Sequence, residues 1–157
     1  MSILQKPYRE GVGMMVFNHE NKVLVGRRID NDTEAWQMPQ GGIERGENPR
    51  TAALRELMEE VGTNKVEIIA ETNEWFYYDL PPEFSNKLWN GRYAGQMQKW
   101  FLMRFIGEDS DINIKTAHPE FAEWSWNAIS TLPDLIVDFK RDLYSRVVNE
   151  FSSHFKE

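Results

Sequence analysis

Gly41-Gly42-Ile43-Glu44-Arg45-Gly46-Glu47-Asn48-Pro49-Arg50-Thr51-Ala52-Ala53-Leu54-Arg55-Glu56-Leu57-Met58-Glu59-Glu60-Val61-Gly62-Thr63 is the stretch on which the reading of this 157-residue chain turns. It places five carboxylates and three arginines around one short predicted helix. Asn48 is a favoured N-cap, Pro49 suits the first helical position and Gly62 the position just past the last, so the spacing predicts a helix over 49–61. Residues three and four apart share a helix face, which gathers Glu56, Glu59 and Glu60 on one patch. Ala53, Leu54, Leu57, Met58 and Val61 supply the side to be buried. Three like charges on one patch repel. A hard divalent cation such as Mg²⁺, which prefers carboxylate oxygens, waters and substrate phosphates, is the ordinary compensation.

A lone Glu-Glu pair on a helix is ordinarily a solvated face. Here the preceding Gly41-Gly42, the two caps and Glu47, placed to reach Arg55, outweigh that reading. Arg55 and Glu47 form an expected structural ion pair, because the guanidinium fork matches a carboxylate and would hold the loop against the helix.

Residues 41–63 resemble the Nudix box of the Nudix hydrolases, a family that cleaves nucleoside diphosphates linked to another moiety. Nine positions are specified over these 23 residues, and the departure lies in the last, Thr63, where an aliphatic residue is usual. Thr63 follows the helix, so a small packing change with intact chemistry is expected. The resemblance implies a mixed α/β fold, an αβα sandwich with a mixed sheet between helices, and a single Nudix domain over 1–157. It makes Gly41, Glu47, Arg55 and Gly62 structural members of the motif and adds a backbone carbonyl near Gln40 as a metal ligand. It also brings Glu120, from the loop Thr116-Ala117-His118-Pro119-Glu120-Phe121, back over the cleft as a further ligand or base. Without the resemblance Glu120 reads as surface, and so does His118.

Water attack on a phosphoanhydride needs positioning, charge neutralisation on non-bridging oxygens and an activated water. Glu56, Glu59 and Glu60 are the expected metal ligands and, with Glu120, the catalytic acids. Glu56 is also a candidate base, although the sequence leaves open which glutamate takes the proton. The cofactor expected is a divalent metal, Mg²⁺, with Mn²⁺ or Zn²⁺ as substitutes.

Segments outside the box narrow the resemblance to the bacterial RNA pyrophosphohydrolases, kin of the diadenosine polyphosphate hydrolases and the invasion-associated proteins. They are Tyr8-Arg9, Val25-Gly26-Arg27-Arg28, Trp36 to Gly42, Gly95 to Phe101, Pro119-Glu120-Phe121 and Asp138 to Asp142. That resemblance implies removal of pyrophosphate from the 5′-triphosphorylated end of single-stranded RNA to promote decay, with dinucleoside polyphosphates as further substrates. Arg9, Arg28 and Lys140 supply positive charge for phosphates, and an aromatic beside a guanidinium can sandwich an unstacked base. Phe139 fits an apolar helix face by its spacing, and the resemblance raises it to a base contact. Tyr77, Tyr78 and Trp89 are further stacking candidates, and the resemblance puts Gln98 and Lys99 along the phosphate path.

The formal charge of −7 lacks the basic footprint of a general nucleic-acid binder and points to short-range, metal-mediated capture of a phosphorylated end. With no cysteine, disulfides, thiolate metal sites and a cysteine nucleophile are excluded. No apolar run approaches the ~18–20 residues of a membrane span, and the first six residues lack a signal-peptide core. A soluble, cytoplasmic protein with no membrane partner is expected.

Along the chain, periodicity predicts strands over 11–17 and 22–28 joined as a hairpin, then residues 36–40 leading into a Gly41-Gly42 turn. Further strands are expected over 66–70, 75–80, 98–106 and 122–126, with a long loop over 83–96. A closing helix is expected over 134–151, with Leu135, Ile136, Phe139, Leu143, Val147 and Phe151 at helical spacing. Two rivals stand beside the RNA reading: an enzyme acting mainly on diadenosine tetraphosphate, and a nucleotide-binding regulatory module. The module would be expected to have lost one of Arg55, Glu56, Glu59 or Glu60, and all four are present.

Overall fold

A computed structural model describes residues 6–29 and 34–155; positions 1–5, read above for a leader, lie outside them. Every described strand belongs to one mixed sheet. Its central pair is β1 (Tyr8–Phe17) and β7 (Gly95–Phe105), which run parallel in register from Tyr8 opposite Gly95 to Phe17 opposite Arg104. β2 (Lys22–Arg28) returns antiparallel to β1 through the Asn18–Asn21 turn, as the hairpin pattern predicts. Beyond β2 lie β3 (Trp36–Gln37) and β8 (Phe121–Ala128). β4 (Gln40–Gly42) pairs with β1, and β5 (Val66–Glu71) and β6 (Phe76–Asp79) pair with β7.

The near-continuous apolar run of β1 follows from burial on both faces. Val12, Met14 and Val16 pack under α1 (Pro49–Val61) with Phe101, Met103, Ala53, Leu57 and Val61. On the other face Met15, Trp100 and Leu102 meet Leu143, Val147 and Phe151 of α4 (Arg141–Phe151). The sheet is thus sandwiched between helices, and no described helix is long and apolar enough to cross a membrane.

α1 occupies the predicted span. Asn48 Oδ1 accepts the Arg50 N–H at 2.8 Å, and Gly62, at φ 74°, donates its N–H to the Met58 carbonyl. A left-handed residue here favours glycine because it has no Cβ to clash.

Four expectations need correction. Gly41-Gly42 is strand rather than turn, with Gly11 opposite Gly42 and Val12 opposite Gly41. Met58 is 49% exposed, and Ala52 takes a place on the buried face instead, since a small side chain lets the helix sit closer to the sheet. The 83–96 segment carries a helical turn, α2 (Pro82–Ser85), and a 3₁₀ turn over Leu88–Gly91, and its last two residues already belong to β7. The closing helix is interrupted. α3 (Leu132–Leu135) ends at an extended Ile136, a 3₁₀ turn spans Asp138–Lys140, and α4 starts at Arg141. The break buries Ile136 while Phe139 packs beside Tyr78 at 6.1 Å between ring centroids. Apolar spacing reads the same for two short helical pieces as for one long helix.

Candidate metal and phosphate site

The site is assembled where α1 crosses the end of β4. Gly41 lies so close under Glu56 that a Cβ there would fall inside the carboxylate, which is why this strand position has to be glycine. The loop after β7 is tied to the helix end by the Asn113 N–H bond to the Val61 carbonyl at 2.8 Å. The same loop is joined to the residue just past β2 by the Ile29 N–H bond to the Glu120 carbonyl at 2.9 Å. Those two ties bring Glu120 to α1. A cavity of about 430 Å³ results, with Glu56, Glu59, Glu60 and Glu120 all on its wall.

Their environments differ. Glu60 is buried; its Oε2 accepts the Gln40 N–H at 3.0 Å and its Oε1 has no partner. Burial, then Glu120, holds its carboxyl well above the usual range. Glu56 is pushed up to about 7 by burial and by Glu59, with Arg55 opposing. Glu59 is exposed.

Arg55 is the hub of the site. Its Nε and Nη2 grip Glu47 in a fork at 2.8 and 2.9 Å, Nη2 also reaches the Gly42 carbonyl at 2.9 Å, and Nη1 bonds Glu56 and Glu59 at 3.1 Å each. The expected Glu47 pair is therefore present, and it holds the Glu47 carboxyl below its usual range. The expectation that the helix acids stand uncompensated is corrected, because one guanidinium already neutralises part of their charge. With Glu56 and Glu59 turned toward Arg55, no three acids or histidines among the described residues are gathered into a ready coordination sphere. The donor set still fits a hard cation. It is all oxygen, and an orphaned buried carboxylate oxygen is a costly feature that a bound cation relieves.

The expected phosphate contacts divide. Arg28 Nη1 stands 3.7 Å from Glu120, and Lys140 is held down to about 8 by burial and by Arg28, with Glu60 opposing. The Arg9 guanidinium packs against Gly42 and over the Trp89 ring at 5.0 Å. Gln98 is fully buried and donates to the Gln40 side-chain oxygen at 2.8 Å. Lys99, one residue on, faces the other way and donates to the Asn73 carbonyl at 2.6 Å, over the Trp75 ring. It is not brought to the acids by any bond seen here.

Sequence reading missed two participants. Gln96 joins the Gln98–Gln40 chain. The Tyr144 hydroxyl accepts the Met38 N–H at 2.8 Å, anchoring the approach to β4 on α4. His118 is exposed, as expected, yet it stands on the same cavity as the four acids. Only the Gln-x-Gln alternation on β7 gave a signal for Gln96; Tyr144 gave none.

A NUDIX domain model matches residues 7–147. The chain belongs to the Nudix family. Among curated Nudix relatives it is 56% identical over 154 residues to the RNA pyrophosphohydrolase of Roseobacter denitrificans, covering 97% of this chain and 96% of that one. It is 54% identical over 150 residues to the protein of the same name from Rickettsia typhi, covering 96% and 93%. Among solved structures it resembles a C. elegans Ap4A hydrolase binary complex, with TM-score 0.66 and 19% identity over 92% of this chain and 97% of that one. It also resembles a MutT protein from Methanosarcina mazei Go1, with TM-score 0.65 and 18% identity over 99% and 100%. At such identities these two likenesses show the Nudix fold alone.

Proposed function

We propose that this protein is an RNA pyrophosphohydrolase, a Nudix enzyme acting on phosphoric anhydrides. It removes pyrophosphate from 5′-triphosphorylated single-stranded RNA and leaves a 5′-monophosphate, which promotes mRNA decay. The observation that carries the reading is identity of 56% and 54% with proteins of that name over nearly the whole of both chains. The cytoplasm is its compartment, and dinucleoside polyphosphates are secondary substrates.

Nudix hydrolases work with divalent metal ions. Glu56, Glu59, Glu60 and Glu120 would hold Mg²⁺ here, together with the Gln40 carbonyl. When bound, the metal supplies charge neutralisation on the phosphate oxygens and a lowered pKa for water. Glu56, on the wall of the same cavity as the other three acids, suits the role of taking the attacking water's proton. Arg55 keeps Glu56 and Glu59 oriented by gripping Glu47 on one side and both acids on the other. Arg9, Arg28 and Lys140 fix the phosphate chain as point charges and forks, and Phe139 stacks a base.

The test is kcat/KM with Mg²⁺ for a 5′-triphosphorylated oligoribonucleotide against diadenosine tetraphosphate. The RNA should be preferred. A strong preference for the free dinucleotide would overturn the assignment.

A further inference from the structure

The 3₁₀ turn over Leu88–Gly91 holds three successive residues in the left-handed region: Trp89 at φ 51°, Asn90 at 59° and Gly91 at 70°. Glycine and asparagine take that conformation readily; a bulky tryptophan does not. A residue so placed persists only where its surroundings hold it, and such residues gather where a function needs the geometry. Here the turn lays the Trp89 ring over the Arg9 guanidinium, 5.0 Å from the ring centroid.

The surroundings are firm. The Lys6 ammonium donates to the Ser85 carbonyl at 3.1 Å and to Asn86 Oδ1 at 3.0 Å, and the Ala94 N–H donates to the Pro7 carbonyl at 2.9 Å. The chain on both sides of the turn is thereby bonded to the two residues ahead of β1, the strand that carries Arg9. The Tyr93 ring meets the Trp89 ring edge-on, with centroids 5.8 Å apart.

Arg9 is gripped without being used. A Cβ on Gly42 would stand 2.2 Å from its Nη2, so the guanidinium rests on bare backbone at Gly42 as well as on the indole. Among the described residues no carboxylate or carbonyl accepts its N–H groups. A half-buried guanidinium with its donors unspent is costly until an anion takes them. Gly42 adjoins Gly41, which lies beneath Glu56, and its carbonyl is held by Arg55 at 2.9 Å, so the anion within reach is a phosphate entering the acidic site. We propose that Trp89 is a positioning residue, which by stacking holds the Arg9 guanidinium ordered before the phosphate chain of the substrate arrives. An arginine fixed in advance loses little side-chain freedom on binding, and the ring face favours its charge without consuming an N–H. This rests on the reading above, in which the substrate is triphosphorylated RNA and Arg9 binds its phosphates.

The experiment measures kcat and KM with Mg²⁺ on a 5′-triphosphorylated pentanucleotide, below the Tm of every variant, for wild type, Trp89→Leu, Trp89→Phe, Arg9→Ala and the combined Trp89→Leu/Arg9→Ala. Leucine keeps apolar bulk but offers no ring face; phenylalanine keeps the face. Trp89→Leu should raise KM ~5-fold with kcat little changed, because Arg9 must then be ordered at binding. Trp89→Phe should recover most of that loss. In the Arg9→Ala background, Trp89→Leu should raise KM no further. Equal KM for the leucine and phenylalanine variants, or an undiminished effect of Trp89→Leu without Arg9, overturns the positioning role. A wild-type KM in Arg9→Ala overturns the phosphate role of Arg9, and a wild type that leaves the triphosphorylated RNA uncut overturns the RNA reading itself, both distinct from failure of Trp89 alone.

Discussion

Glu60 and Gln40 are joined by one hydrogen bond of 3.0 Å from the strand amide to Oε2, and the second oxygen of the same buried carboxylate accepts nothing. The bond fixes the side chain against β4 and leaves Oε1 without a hydrogen-bond partner. A carboxyl so placed binds its proton tightly, and a cation that displaces the proton gains a prearranged ligand.

Glu60→Gln should therefore separate stability from activity. The amide keeps an acceptor for the Gln40 N–H and carries no charge to desolvate, so Tm of the metal-free protein should be equal or higher. Turnover should fall by about 10³-fold, the scale of losing one ligand's share of transition-state charge stabilisation. Steady-state kinetics and thermal unfolding on the same sample check both halves. Wild-type-like turnover would refute the metal assignment.

Stability should depend on pH with a sign set by Glu56. Its folded value, about 7, lies above the ordinary 4.5, so the folded state holds the proton more tightly. The stabilisation is complete below about 4.5 and disappears as pH rises through about 7. Metal-free Tm should thus decline between pH 5 and 8, and added Mg²⁺ should restore it, more strongly at the higher pH. Glu47, held low by Arg55, works in the opposite direction and below that window. A metal-free Tm that is flat across pH 5–8 would contradict the environment described for Glu56.

Arg55→Lys retains the charge and loses the fork. Lysine cannot meet Glu47 bidentately while also reaching the Gly42 carbonyl and two further acids. Activity should drop at least ~10-fold, and a double-mutant cycle with Glu47→Gln should show a coupling of about 1–2 kcal/mol. Urea unfolding of the four proteins measures it, and additive effects would show the fork to be without energetic weight.

Gly41→Ala should cost more activity than stability. The new methyl claims the space of the Glu56 carboxylate, so that side chain must swing away while the strand itself can persist. Misplacing one reacting group by about 1 Å costs ~10²-fold. Far-ultraviolet circular dichroism should stay native-like while kcat collapses, and an active Gly41→Ala enzyme would mean that Glu56 is dispensable.

The helix bearing the acids was legible to the residue, because Asn48, Pro49 and Gly62 each act through local backbone chemistry that sequence exposes directly. Gly41-Gly42 was misread because two glycines signal a turn in isolation. Here they form a strand because they pair with Gly11 and Val12 of β1, while Glu56 and Arg9 leave no room for a Cβ, a fact of tertiary packing. Met58 fits the apolar spacing and lies outside, since Ala52 meets the sheet more closely. Glu47 was foreseen as a partner of Arg55, but the reach of Arg55 to Glu56, Glu59 and the Gly42 carbonyl depends on how β4 and α1 meet. Gln98 and Lys99 are neighbours in sequence and diverge in space because a strand alternates its side chains.

Residues 113–120 are stitched down at their two extremities, to Val61 and to Ile29, and Glu120 sits at the second stitch. Substitutions or short insertions between the stitches can reshape one bank of the acidic cleft while both anchors keep their grip. That gives descendants of this enzyme a place to retune which molecules they accept without rebuilding the framework.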